Sequence, residues 1–118
     1  MNHNFRELQI WQESVENATI TYTITKKFPK EELFGIVSQM RRASVSIASN
    51  IAEGSGRGTD AQFSHFLDLA IGSSFELETQ IIISKNLGYV DTESSVSWID
   101  NLQRLNRKIS TLKNRLNK

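Results

Sequence analysis

Few residues in this chain have the types or the spacing that catalysis requires. Its two histidines, His3 and His65, fall in no metal-ligand constellation. There is no cysteine, which removes thiol nucleophiles, thiolate metal sites and disulfides and suits a reducing cytoplasm. No Gly-x-Ser-x-Gly elbow occurs, and no pair of carboxylates shares a concave site. The expectation is a protein that is not an enzyme, with no catalytic residue, no metal and no cofactor. No small-molecule substrate is identified. The turn from Gly54 to Gly58 carries Arg57 before a helix N-terminus and could hold a phosphate on its backbone amides. It lacks the Gly-Lys-Ser/Thr ending of a phosphate-binding loop. A tight interhelical turn with glycines at positive φ is the simpler reading.

Charge offers a second kind of chemistry. The net charge is only +1, yet residues 104–118 hold six cations and no acid. The rest of the chain therefore carries −5. Such a split points to an anionic partner or to a solvated helix face whose cations favour a helix C-terminus. The candidate nucleic-acid contacts are Arg104, Arg107, Lys108, Lys113 and Arg115, with Arg42 and Arg57 as secondary positions. Arg42 lies beside the small side chains of Ser46 and Ser49, which leave it approachable.

Four helices must position these residues in one domain, residues 1–118. Helix one is expected from about Phe5 to Lys27, with Asn4 and Glu7 as a capping box. Leu8, Trp11, Val15, Ala18 and Tyr22 make its expected core face, and Ile10, Ile20 and Ile24 lie off it. Phe28-Pro29 ends the helix. Helix two follows and ends near Glu53, with Gly35 inside it at a point of close helix approach. Its core face is Leu33, Ile36, Val37, Met40, Ser44, Ile47, Ala48 and Ile51. Phe34, Arg41 and Val45 form a second stripe. Helix three opens on Thr59 and Gln62, another capping box. It buries Phe63, Phe66, Leu67, Ala70, Ser74, Leu77 and Ile81, and stops at Leu87-Gly88. Helix four starts after Asp91-Thr92. Its Trp98, Leu102, Leu105, Ile109, Leu112 and Leu116 follow the a/d spacing of a bundle seam. Trp11 and Trp98 both fit core positions, and His3 falls in a frayed terminus.

A bundle of this length can bury one face of each helix, yet three helices are apolar on two sides. Ile10, Ile20, Ile24, Phe34, Val45, Phe75, Ile82 and Ile83 are therefore expected at a contact between copies. Arg41 and Glu78 lie at or on apolar faces and need partners. They are expected to pair with each other across a subunit boundary, since within one chain Arg41 would face Ile71. No apolar run approaches the roughly 20 residues of a membrane span, and the first eight residues lack an apolar signal segment. No membrane partner and a cytoplasmic location are expected.

Five stretches carry a family resemblance. They are Ile10-Trp11-Gln12, Phe28-Pro29-x-Glu31, Gln39-Met40-Arg41-Arg42-Ala43, the run from Ser46 to Gly54, and Gly72-Ser73-x-x-Glu76-Leu77-Glu78-Thr79. In this order, from Leu8 to Tyr89, they resemble the four-helix-bundle proteins encoded in intervening sequences of bacterial 23S ribosomal RNA genes. The resemblance implies an all-α, up-down antiparallel four-helix bundle. Relatives such as the accessory variability proteins of retroelements form pentameric barrels associated with nucleic acid, so a homo-oligomer, a pentamer in particular, is implied. Family members often have proline where this chain has Ala48, so helix two should run straighter here. Two functions stay open. One is an oligomeric protein binding ribosomal RNA or other nucleic acid, either RNA or DNA. The other is a protein–protein adaptor or scaffold that binds none.

Overall fold

The computed structural model describes residues 3–117 and contains four α-helices, with no strand among the described residues. We label them α1 (Gln9–Thr25), α2 (Ile36–Ser55), α3 (Asp60–Asn86) and α4 (Thr92–Leu116). Short 3-10 turns at Phe5–Glu7 and Lys30–Glu32 precede α1 and α2. Short connections between long helices are those of an up-down bundle. The body measures 45 × 23 × 20 Å. Each helix packs on its chain neighbour, most extensively α2 on α3, and α1 closes on α4 through a thinner contact.

The helix ends follow local chemistry. The Thr59 side chain accepts from the Gln62 backbone N–H at 3.1 Å, starting α3. Asp91 accepts from the Ser94 N–H at 2.7 Å and from its hydroxyl at 3.0 Å, starting α4. These two donors hold the Asp91 carboxyl below its ordinary value of 3.8. Gly88 follows α3 with φ of 81°, a conformation costly for any side chain. Asn4 accepts from Arg6 N–H at 3.2 Å, but it caps the 3-10 turn and not an α-helix. Helix one therefore starts later than its sequence suggests. Gly35 precedes α2 and is not inside it. The close approach falls instead at Gly54, where a Cβ would lie 2.6 Å from Phe66 Cβ and 2.9 Å from Phe63 Cδ1. The turn from Gly56 to Gly58 has no residue at positive φ. Helix α2 runs unbroken through Ala48 to Ser55.

The core joins all four helices. Met40, Ile47, Ile51, Leu67, Leu77, Ile81, Leu102 and Ile109 are fully buried. The predicted core faces of α2, α3 and α4 hold, except that Leu33 is exposed and Ile36, Phe66, Leu112 and Leu116 are half-buried. Helix α1 is rotated from its expected orientation. It buries Ile10, Ser14, Asn17, Thr21 and Thr25, and turns Val15 and Tyr22 outward. The reason is that its buried hydroxyls satisfy themselves. Ser14, Thr21 and Thr25 hydroxyls donate to the Ile10, Asn17 and Thr21 carbonyls at 2.6, 2.9 and 2.7 Å. A buried hydroxyl with a bond four residues back carries little penalty.

Both ends of the bundle are tied. At one, the His3 N–H donates to the Ser55 carbonyl at 2.9 Å, and its ring lies 5.1 Å from that of Phe63. His3 is thus held, and not frayed. At the other, Phe28 packs on Tyr89, and the Tyr89 hydroxyl donates to Glu32 at 2.7 Å.

Leu77→Ala and Leu102→Ala should each cost about 2–5 kcal/mol in urea unfolding, since each removes a fully buried leucine. Gly54→Ala should destabilise by about 1–3 kcal/mol, because the Phe63 ring and the Cβ of Phe66 must both shift. Gly72→Ala, with nothing within 4 Å of its Cβ, should stabilise by about 0.4–1 kcal/mol. The Asp91 carboxylate, with its folded-state pKa lowered, adds stability above its ordinary value of 3.8 and loses it as pH falls through the folded value. Asp91→Asn keeps an acceptor without the titration, so its stability deficit should be present near neutral pH and close on acidification.

Candidate functional site

Apolar as well as charged side chains reach the surface of the bundle. Between helices α1 and α2 lies a groove of about 490 Å³. Trp11, Val15, Ala18 and Tyr22 line one wall, and Val45, Ala48 and Ala52 line the other. Only Thr19 and Ser49 interrupt the apolar lining. Helical spacing explains the wall on α1: residues 11, 15, 18 and 22 share one face. The same spacing fits 10, 14, 17 and 21, and the bundle buries that second row. Sequence reasoning placed the first row in the core, so the groove residues of α1 were missed. The signal present was the second row, whose Ser, Asn and Thr are short enough for close helix packing.

A separate apolar row lies on the outer side of α3. Leu69, Phe75, Ile82 and Ile83 are exposed there, Phe75 by 58%. The row shares no residue with the α1–α2 groove. Phe34, 92% exposed, projects from the turn before α2. Of the residues expected at a contact between copies, Phe34, Val45, Phe75, Ile82 and Ile83 are exposed. Ile10 is not, being 6% exposed in the core, because the rotation of α1 carries it inward. Ile20 and Ile24 are half-buried along the seam between α1 and α4.

The basic residues are less available than the sequence implies. Lys108 pairs with Glu13 at 2.8 Å, Lys113 with Asp68 at 2.7 Å and Arg57 with Glu53 at 2.7 Å. Arg57 also lies 4.6 Å from the centre of the Phe66 ring. Arg42, Arg104, Arg107 and Arg115 are exposed and enter no ion pair among the described residues. At 100° per residue, Arg104, Arg107 and Arg115 lie within about 80° of one another on α4. Arg42 and Arg57 lie on or just after α2, which is not a neighbour of α4 in the bundle, so they do not join this stripe. Within one chain Arg41 and Glu78 form no ion pair. The Arg41 guanidinium donates to Thr25 Oγ1 at 3.1 Å and stacks over the Tyr22 ring at 4.6 Å. No group of three or more His, Asp or Glu side chains placed to hold a metal ion occurs among the described residues. No helix among the described residues is long and apolar enough to cross a membrane.

These features define a four-helix bundle with an apolar groove, a separate apolar ridge and an arginine stripe. The family described as "23S rRNA-intervening sequence protein" matches residues 6–111, and the chain belongs to that family. A solved structure from Bacteroides thetaiotaomicron, a protein of unknown function from the S23 ribosomal protein family, has the same fold. It superposes with a TM-score of 0.82 at 21% identity, covering 88% of this chain and 97% of that one. No curated protein matches the chain.

Because Lys113 and Asp68 are both partly solvated, Lys113→Gln should cost about 0.2–1 kcal/mol in urea unfolding, shrinking as salt is added.

Proposed function

We propose that this protein is a non-enzymatic assembly protein, in which the α3 ridge of one copy seats in the α1–α2 groove of the next. The observation that carries this reading is the presence of two sets of exposed apolar side chains that share no residue. A groove on one side and a ridge on another make a heterologous contact, which closes into a ring when the rotation per subunit allows. Val45 serves in the groove, and Phe75, Ile82 and Ile83 in the ridge. The count of five rests on the resemblance to pentameric relatives.

A second function is favoured by the arginine stripe on α4. Arg104, Arg107 and Arg115 present three unpaired guanidinium groups on one face. Guanidinium groups bind phosphate oxygens without reading sequence. In a ring the stripe repeats on every copy, so weak contacts to RNA or DNA would add as one multivalent surface. The family's name makes ribosomal RNA the first nucleic acid to test. An adaptor that binds no nucleic acid would use the same apolar surfaces and leave the stripe idle.

Sedimentation of the unmodified protein at micromolar concentration should show an oligomer; a monomer would overturn the assembly reading. Val45→Glu should abolish assembly from the groove side and Phe75→Glu from the ridge side, with helical content retained. Mixing the two variants should give a one-to-one heterodimer, since each keeps the surface the other has lost. A groove-to-groove dimer would instead be unaffected by Phe75→Glu. In an RNA titration across salt, each phosphate contact should contribute about 0.7–0.9 to the slope. Changing Arg104, Arg107 and Arg115 to glutamine should flatten that slope while the oligomer persists. Absence of binding at low salt leaves the adaptor reading.

A further inference from the structure

Arg41 and Glu78 are both half-buried and enter no ion pair among the described residues. The register of α2 on α3 relates them. Ser46 of α2 and Ser73 of α3 hydrogen-bond through their hydroxyls at 2.9 Å, which marks one level along the bundle. Arg41 stands five residues before Ser46, and Glu78 five residues after Ser73. The two helices are antiparallel, so both steps run the same way, about 7.5 Å along the axis. Arg41 is therefore level with Glu78 and not with Ile71. Each step also turns about 140° round its helix, so both side chains leave the α2–α3 contact.

Each charge belongs to one of the two apolar sets. On α2, Arg41 lies within about 40° of Val45, Ala48 and Ala52, which line the groove. Its guanidinium stacks over Tyr22 on the opposite wall, and among the described residues only its Nε hydrogen-bonds, to Thr25. The terminal N–H groups remain as a fork that suits a carboxylate. On α3, Glu78 lies within about 60° of Phe75 and Ile82 of the ridge. Seating such a ridge in such a groove withdraws both charges from water, where an unpaired charge is costly.

We propose that Arg41 of one copy pairs with Glu78 of the next copy and fixes the register of their contact. The inference rests on the assembly proposed for this chain, ridge into groove. Rotation about a ring axis leaves heights unchanged, so in bundles standing along that axis Arg41 meets Glu78 without a shift. A slip of one helical turn, about 5.4 Å, keeps apolar against apolar but leaves both charges unpaired. A groove-to-groove dimer supplies Arg41 with no Glu78. The pair thus selects one register and one direction of assembly from those that apolar contact alone allows.

The test is sedimentation of the full chain unmodified, as Arg41→Glu, as Glu78→Arg and as the double swap, with helical content followed in each. Each single swap sets like charges together and should raise the concentration needed for assembly about a hundredfold. The double swap should return it to within about tenfold of the unmodified protein. Mixing the two single variants should also restore assembly, since each groove can then meet a ridge of opposite charge. If Arg41→Glu loosens α1, Arg41→Gln takes its place. In that background Glu78→Arg should cost about tenfold less than in the unmodified chain, and an undiminished cost overturns the pair. Unmodified protein that assembles no better than Glu78→Arg overturns the pair and leaves the assembly reading standing. So does a well-folded Arg41→Glu that rescues Glu78→Arg neither in the mixture nor in the double swap. A monomeric unmodified protein overturns both.

Discussion

The hydrogen bonds from Ser14, Thr21 and Thr25 to carbonyls one turn back decide how this molecule presents itself. They let α1 bury a polar row and so free an apolar row for the surface. Without those bonds the cheaper rotation would place Trp11, Val15 and Tyr22 inside and expose the hydroxyls. The groove between α1 and α2 exists because the opposite happened. Arg41 reinforces the choice, since its bond to Thr25 and its stacking on Tyr22 clamp α1 to α2 in this rotation.

The same rotation sets the electrostatics. With α1 so turned, Glu13 meets Lys108 across the α1–α4 seam. On the other side of α4, Lys113 meets Asp68 of α3. Two cations of the basic C-terminal segment thus serve local pairing, and among the described residues the surplus contracts to one stripe of arginines. A charge count along the chain cannot see this, because it does not know which acids the fold brings near. The net asymmetry is real, but only part of it faces solvent unpaired.

Much of the fold was legible in the sequence. In α2, α3 and α4 one apolar row at unbroken helical spacing outweighs any second stripe, so phase and burial agree. Thr59, Asp91 and Gly88 mark ends by mechanisms that act within a few residues. Helix α1 was the exception, because two rows at helical spacing compete and apolarity alone selects the wrong one. Ile10 was misplaced for the same reason. Gly35 and Gly54 were confused because a glycine's purpose lies in what approaches it, here Phe63 and Phe66 from another helix. Of the candidate contacts, Val45, Phe75, Ile82 and Ile83 were readable as apolar residues opposite a clear core face. The shared level of Arg41 and Glu78 was not, since the register of α2 on α3 sets it.

The uneven contact among the helices has a kinetic side. The α2–α3 hairpin shares the largest interface and is joined by only a short turn, so its loop-closure cost is low. Helix α1, joined through the longer segment around Phe28 and Pro29, and touching α4 thinly, has less to gain until the hairpin exists. We expect α1 to dock late and to detach first, with its amides exchanging hydrogen ahead of those of α2 and α3. One wall of the groove would then depart with it, so the surface that joins copies would be the first that a partly opened chain gives up.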